Sequence, residues 1–188
     1  EQKSPTRLGG TVLIGDIVTQ PMIVDEGEFV HISLPGFHTS NEIGNPELPQ
    51  LHKLIEIPHN AIPRIEIINA EIEYYNLGDY GMHDPVFPYQ PSLSKSQDPD
   101  DVLFEWNEAL YQADSYIEPE LISVDIKGQL RALQLANLVI RPVDYNPISG
   151  MIKVITSIEF IIHFDGADLV ETENIKQKYY SPYFESVY

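Results

Sequence analysis

The chain has 188 residues, 43% of them apolar, with 29 acids against 11 bases and a net charge of −18. That length supports one domain with a substantial core rather than two, and the apolar content argues against wholesale disorder. The acidic balance excludes nucleic acid and anionic membrane surfaces as natural partners, and the lack of cysteine excludes disulfides, thiol catalysis and zinc–thiolate sites.

Fifteen prolines and eleven glycines punctuate the chain into short segments, the pattern of an all-β sandwich. Residues 1–10 are polar, with Pro5 and a Gly9-Gly10 pair, and are expected as a flexible arm. Segments 11–24 and 28–34 are rich in Val, Ile and Leu, and Asp25-Glu26-Gly27 between them is a hairpin signal. The stretch from His38 to Asn45 reads as loop. Gly44-Asn45-Pro46-Glu47-Leu48-Pro49 then forms a bend whose backbone angles are largely preset by its glycine and prolines. The strand that follows alternates, with Leu51, Ile55 and Ile57 on one face.

Arg64 to Tyr75 alternates clearly, and its change of phase at Ile67-Ile68-Asn69 predicts a β-bulge. From Asn76 to Asp101 the pattern is irregular, with Gly78, Gly81, Pro85, Pro88, Pro91 and Pro99. A segment of that length without regular structure is usually functional or disordered. Leu121 to Asp125, Leu130 to Leu138 and Val139 to Val143 read as extended, with Ile126-Lys127-Gly128-Gln129 as a hairpin turn. Tyr145-Asn146-Pro147-Ile148-Ser149-Gly150 is a second turn, and Met151 to Phe164 is the strongest strand signal in the chain. A short helix is expected at 172–179, before Pro182. No apolar run approaches the roughly 20 residues a membrane helix needs.

The bend at Gly44 to Pro49, then Tyr116 with Pro119-Glu120, Lys127-Gly128-Gln129, Tyr145-Asn146-Pro147 and the strand Met151 to Phe164 recur in this order in one family. In these motifs the chain resembles the N-terminal prodomain of gingipain-type, caspase-like cysteine peptidases, from about residue 28 to its end. The resemblance implies an antiparallel β-sandwich similar to carbohydrate-binding modules, carrying a long irregular loop. It implies a single unit over 1–188 whose residues 171–188 link it to a catalytic domain. It further implies a non-catalytic partner in cis, which covers the cleft of that peptidase, keeps it latent and assists its folding. The family also implies export across a bacterial envelope, to a secreted or cell-surface location. A chain that opens on Glu1, without a signal-like segment, is then expected as a mature or trimmed form, with any export signal already removed.

In the family a basic side chain on a loop enters the peptidase's specificity pocket. The matching loop here, residues 92–101, follows the order Ser-basic-x-x-x-Pro-Asp. The resemblance therefore assigns the inhibitory role to Lys95, with Ser94, Ser96, Asp98 and Pro99 around it. A peptidase that cuts after a basic residue needs a carboxylate in that pocket, and a lysine pairs with it by charge-assisted hydrogen bonds. Pro91 and Pro99 stiffen the loop and reduce the entropy lost on binding.

Other signals are weaker. Asp98-Pro99-Asp100-Asp101 lacks the alternating Asp and Gly pattern of a calcium loop, and the acids read as turn formers. Histidines 31, 38, 52, 59, 83 and 163 show no metal-ligand spacing, so no metal or other cofactor is expected. Trp106, Tyr111 and Tyr116 read as core aromatics, although sandwich modules also use such rings to stack on sugars. No nucleophile-elbow motif is present. A carbohydrate- or protein-binding surface module is the alternative reading.

Overall fold

The strongest strand of the sequence becomes the spine of the molecule. The computed structural model describes residues 2–96, 102–179 and 182. In chain order its strands are β1 (Gln2–Ser4), β2 (Arg7–Leu13), β3 (Val18–Val24), β4 (Gly27–Ser33), β5 (His38–Thr39) and β6 (Pro49–Ile57). They continue as β7 (Ile62–Asn76), β8 (Ile122–Leu130), β9 (Leu133–Ile140), β10 (Val143–Asn146) and β11 (Met151–Asp165). A 3₁₀ turn at Leu77–Tyr80 and two helices, α1 (Glu108–Tyr111) and α2 (Leu169–Tyr179), complete the described elements.

β11 pairs antiparallel with β7 along its length, and on its other side with β10 and then β2. With β1 beyond β2, these strands form a five-stranded sheet. A four-stranded sheet, β5-β6-β9-β8, and the β3–β4 hairpin make up the rest. The apolar core lies along the inner side of β11. Its first half sends Ile152 and Val154 into a cluster with Val30, Ile32, Val143 and Tyr145. Its second half sends Ile158, Phe160, Ile162 and Phe164 into a cluster with Ile57, Ala136, Leu138 and Ile140. Each fully buried isoleucine contributes on the order of 1.5–3 kcal/mol, so this strand alone ties the two ends of the core together. The fold is the expected all-β sandwich.

Local predictions are met where alternation decides them. The bulge falls at Ile68, because Glu159 pairs with Asn69 and Phe160 with Ile67. The Tyr145–Gly150 turn joins β10 to β11, and the Asn146 side chain accepts the N–H groups of Ile148 and Ser149 at 3.1 Å each. The expected C-terminal helix is α2. The His59 N–H donates to Thr172 Oγ1 at 2.9 Å, and Lys176 pairs with Glu56 at 2.6 Å.

Four segments differ from expectation, the first being the stretch read as loop from His38, whose opening His38–Thr39 is β5, paired with β6. Residues 2–10, read as an arm, lie in β1 and β2, and Arg7 to Leu13 pair with Ser157 to His163. Gly10 permits this, since a Cβ there would meet the Phe160 ring at 3.0 Å. Residues 11–24 are not one strand: β2 ends at Leu13 and the hairpin begins at Val18, with its turn at the expected Asp25-Glu26. Finally, Lys127-Gly128 is not the turn between β8 and β9. Lys127 is the extra residue of a bulge within β8, and the reversal is made by Arg131, at φ 56°, with Ala132. A bulge and a hairpin turn both favour a glycine, which here takes φ 133°.

Candidate functional site

The irregular segment after β7 is shaped by neighbours far away in the chain. Its outgoing stem, residues 85–90, runs between β4 and the Gly44–Pro49 bend. On one side the Val30 N–H donates to Pro85 O at 2.8 Å and the Phe87 N–H to Val30 O at 2.9 Å. On the other side the Glu47 N–H donates to Phe87 O at 2.8 Å, the Tyr89 N–H to Asn45 O at 2.8 Å and the Gly44 N–H to Tyr89 O at 2.9 Å. The bend itself is fixed by buried Ser40, whose hydroxyl donates to Pro46 O at 3.1 Å and accepts the Leu48 N–H at 3.0 Å.

The returning stem, residues 104–107, closes onto the same bend. The Asn107 N–H donates to Gly44 O at 3.0 Å, and its side-chain amide donates to Asn45 Oδ1 at 2.8 Å. The Asn107 side-chain Oδ1 also accepts the Leu110 N–H at 3.3 Å and so caps α1. Between the stems stands Gln90. Its carboxamide donates to Glu105 O at 2.8 Å and Pro88 O at 3.0 Å, and accepts the Glu105 N–H at 2.9 Å.

Aromatic rings fill the space beneath. Phe87 from one stem and Phe104 from the other lie 6.0 Å apart, both against Phe29 of β4. Trp106 stacks on Tyr111 at 4.2 Å. Buried Tyr111 donates its hydroxyl to Val86 O at 2.6 Å, and burial pushes that hydroxyl's pKa well up, so it stays a donor at any working pH. The expected aromatic trio is therefore divided. Trp106 and Tyr111 belong to the base of the loop, whereas Tyr116 lies 6.3 Å from Tyr74, with the Lys153 ammonium 6.0 Å from its ring centre.

The loop these stems carry presents Lys95 at an exposed turn with Ser96, and the hydroxyls of Ser94 and Ser96 lie 3.2 Å apart. Asp98 and Pro99 lie outside the described residues, as does the whole Asp98-to-Asp101 acidic run. Structure thus places Lys95, Ser94 and Ser96 at one exposed turn on a loop with braced stems. Sequence reasoning missed the residues that brace it. Gln90 and Asn107 are single amides without a motif, and only their long-range partners give them a role.

Among the described residues no cluster of three His, Asp or Glu side chains is placed to hold a metal ion. His163 pairs with Glu66 at 2.7 Å, and His38 and His52 have ring centres 5.8 Å apart. Burial and then the neighbouring His38 hold the His52 pKa below its ordinary value. A groove of about 780 Å³ lies between β2 and β6 beside α2, and neither the Lys95 loop nor its stems line it. No helix among the described residues is long and apolar enough to cross a membrane.

Comparison with known proteins gives a consistent picture. The family model described as Propeptide_C25 matches residues 17–180. The chain is similar to Lys-gingipain HG66 of Porphyromonas gingivalis, at 38% identity over 162 residues, which is 86% of this chain and 9% of that protein. It is equally similar to Lys-gingipain W83 of the same organism, again over 9% of the protein's length. Among solved structures it is similar to one described as giving structural insight into zymogenic latency of gingipain K from Porphyromonas gingivalis. There the TM-score is 0.81 and the identity 32%, over 87% of this chain and 90% of the other. A complex of the Porphyromonas gingivalis RgpB pro- and mature domains has the same fold, at a TM-score of 0.74 and 14% identity, over 95% and 94% of the two chains.

Proposed function

This chain belongs to the Propeptide_C25 family, and from that premise we propose that it is the inhibitory, folding-assisting prodomain of a gingipain-like cysteine peptidase. It spans 9% of the length of the curated relatives it matches; on this reading the peptidase itself belongs to the remainder of a longer precursor. The observation that carries this reading is the 0.81 TM-score, at 32% identity, to the structure concerned with zymogenic latency of gingipain K. The prodomain covers the active-site cleft of a caspase-like catalytic domain in cis. Residues 1–188 form one unit, with the segment from 171 leading towards that domain. Its action takes place outside the cytoplasm, after export across the bacterial envelope.

Lys95 is the residue offered to the specificity pocket. Support for this comes from its exposure on a loop whose stems are fixed to the bend at Gly44–Asn45. A pocket carboxylate gains a charge-assisted partner when the lysine enters. Tethering in one precursor raises the effective concentration to the order of millimolar, so a modest intrinsic affinity suffices for latency.

The test is inhibition in trans of the catalytic domain of the same precursor. This chain is expected to inhibit it, and Lys95→Ala to weaken that inhibition by about 2–5 kcal/mol, the usual effect of removing one member of a buried charge pair. Full potency of the alanine variant would remove Lys95 from the pocket and leave only a steric cover. No inhibition by the wild-type chain would remove the inhibitory function itself.

A further inference from the structure

Gln90 commits both amide protons and its amide oxygen to a single task. The amide nitrogen has two protons and both are donated, to Pro88 O at 3.0 Å and Glu105 O at 2.8 Å. The amide oxygen accepts the Glu105 N–H at 2.9 Å. One side chain therefore makes the two-way backbone exchange that an adjacent strand would make. It does so across positions fifteen residues apart, at the mouth of the Lys95 loop.

We propose that Gln90 is a positioning residue for inhibition: it closes the mouth of the loop and so preorganises Lys95 for the peptidase's pocket. This inference rests on the inhibitory reading above and adds to it the group that sets the loop's geometry before binding. The physical ground is the entropy of a flexible loop. Ends that are already held together leave less freedom to be lost when the tip is captured. Pro91 immediately follows and restricts the first residue beyond the clamp.

The clamp is separable from the fold. Deeper ties remain when it is cut: Tyr89 to Gly44 and Asn45, and Asn107 to the same pair. The rings of Phe87, Phe104 and Trp106 stay packed against Phe29 as well. Removing the amide thus frees the mouth of the loop and leaves its foundations in place. Gln90→Glu makes a sharper version of the same cut. It keeps an acceptor for the Glu105 N–H but has no proton for the two carbonyl oxygens, and it sets a charge beside them.

The experiment is a double-mutant cycle of Gln90→Ala and Lys95→Ala, read as the inhibition constant against the catalytic domain of the same precursor. Gln90→Glu is measured in parallel, with melting midpoints and amide hydrogen exchange at Glu105. Gln90→Ala is expected to weaken inhibition about tenfold when Lys95 is present and less than about threefold when it is absent, because the clamp acts only through that side chain. Glu105 exchange should rise and the melting midpoint should stay put. If Lys95→Ala weakens inhibition while Gln90→Ala does not, or weakens it equally in both backgrounds, the positioning role is overturned and the inhibitory reading stands. If Lys95→Ala has no effect, the pocket reading fails and takes this inference with it.

Discussion

Gly44 and Asn107 meet backbone to backbone: the Asn107 N–H donates to Gly44 O at 3.0 Å, and a Cβ on Gly44 would lie 3.2 Å from that same nitrogen. Gly44 also sits at φ 77°, in the left-handed region. The bend that marks this chain in sequence is thus the footing on which the returning stem of the Lys95 loop rests.

Gly44→Ala meets both obstacles at once. The left-handed backbone and the tight contact together should cost about 1–3 kcal/mol, read as a lower denaturant midpoint with an unchanged slope. The damage should spread to the loop, so inhibition should fall with it. An alanine variant as stable as the parent would show that the bend relaxes freely.

Tyr111→Phe removes one oxygen from a buried site. The lost hydroxyl donates to Val86 O at 2.6 Å, and the phenylalanine ring fills the same space beneath Trp106. Leaving that carbonyl without its partner should cost about 1–3 kcal/mol, with the fold and the Trp106 environment retained. Thermal melts and tryptophan fluorescence check the two parts separately. A melt indistinguishable from the parent would mean that another donor reaches Val86.

Asp144 gives the pH prediction. Its buried carboxylate accepts the Tyr145 N–H at 2.9 Å and the Glu118 N–H at 3.1 Å. Burial raises its pKa above the ordinary value of 3.8, and the hydrogen bonds from Tyr145 and Glu118 with the Lys153 charge only partly offset this. A carboxyl whose pKa is higher folded than unfolded favours the fold in its protonated form. Its contribution is complete below the unfolded value and is lost as pH rises through the folded one.

Asp144→Asn keeps an acceptor oxygen and cannot ionise. The stability of the parent relative to this variant should therefore decline as pH rises above the ordinary carboxylate value and through the raised folded one. The self-repulsion of a chain with net charge −18 is nearly common to both proteins and cancels in the difference. Urea midpoints at several pH values measure it, and a difference independent of pH would show that the carboxyl titrates normally.

Period-two alternation made β11, β7 and the bulge at Ile68 legible, because each is decided by which neighbouring side chains fit one face of a pleated strand. The same local chemistry made the Gly44 bend and the Asn146–Gly150 turn readable, and the family motifs brought Lys95 forward. The polar composition of residues 2–10 concealed β2, whose place is set by the open side of β11 and by the Phe160 ring that Gly10 accommodates. Gly128 misdirected the β8–β9 turn, since a glycine serves a bulge and a reversal equally well and only the register against β9 distinguishes them.

By itself, then, the sequence determined an acidic β-sandwich, its family and the lysine that its loop displays. Tertiary structure alone decided how that loop is held. Gln90 reaches Glu105, Asn107 reaches Gly44 and Val86 meets Val30, and each contact ends on a backbone group that any residue carries. Such groups leave no mark in composition or spacing, because their partners are chosen by where the folded chain returns.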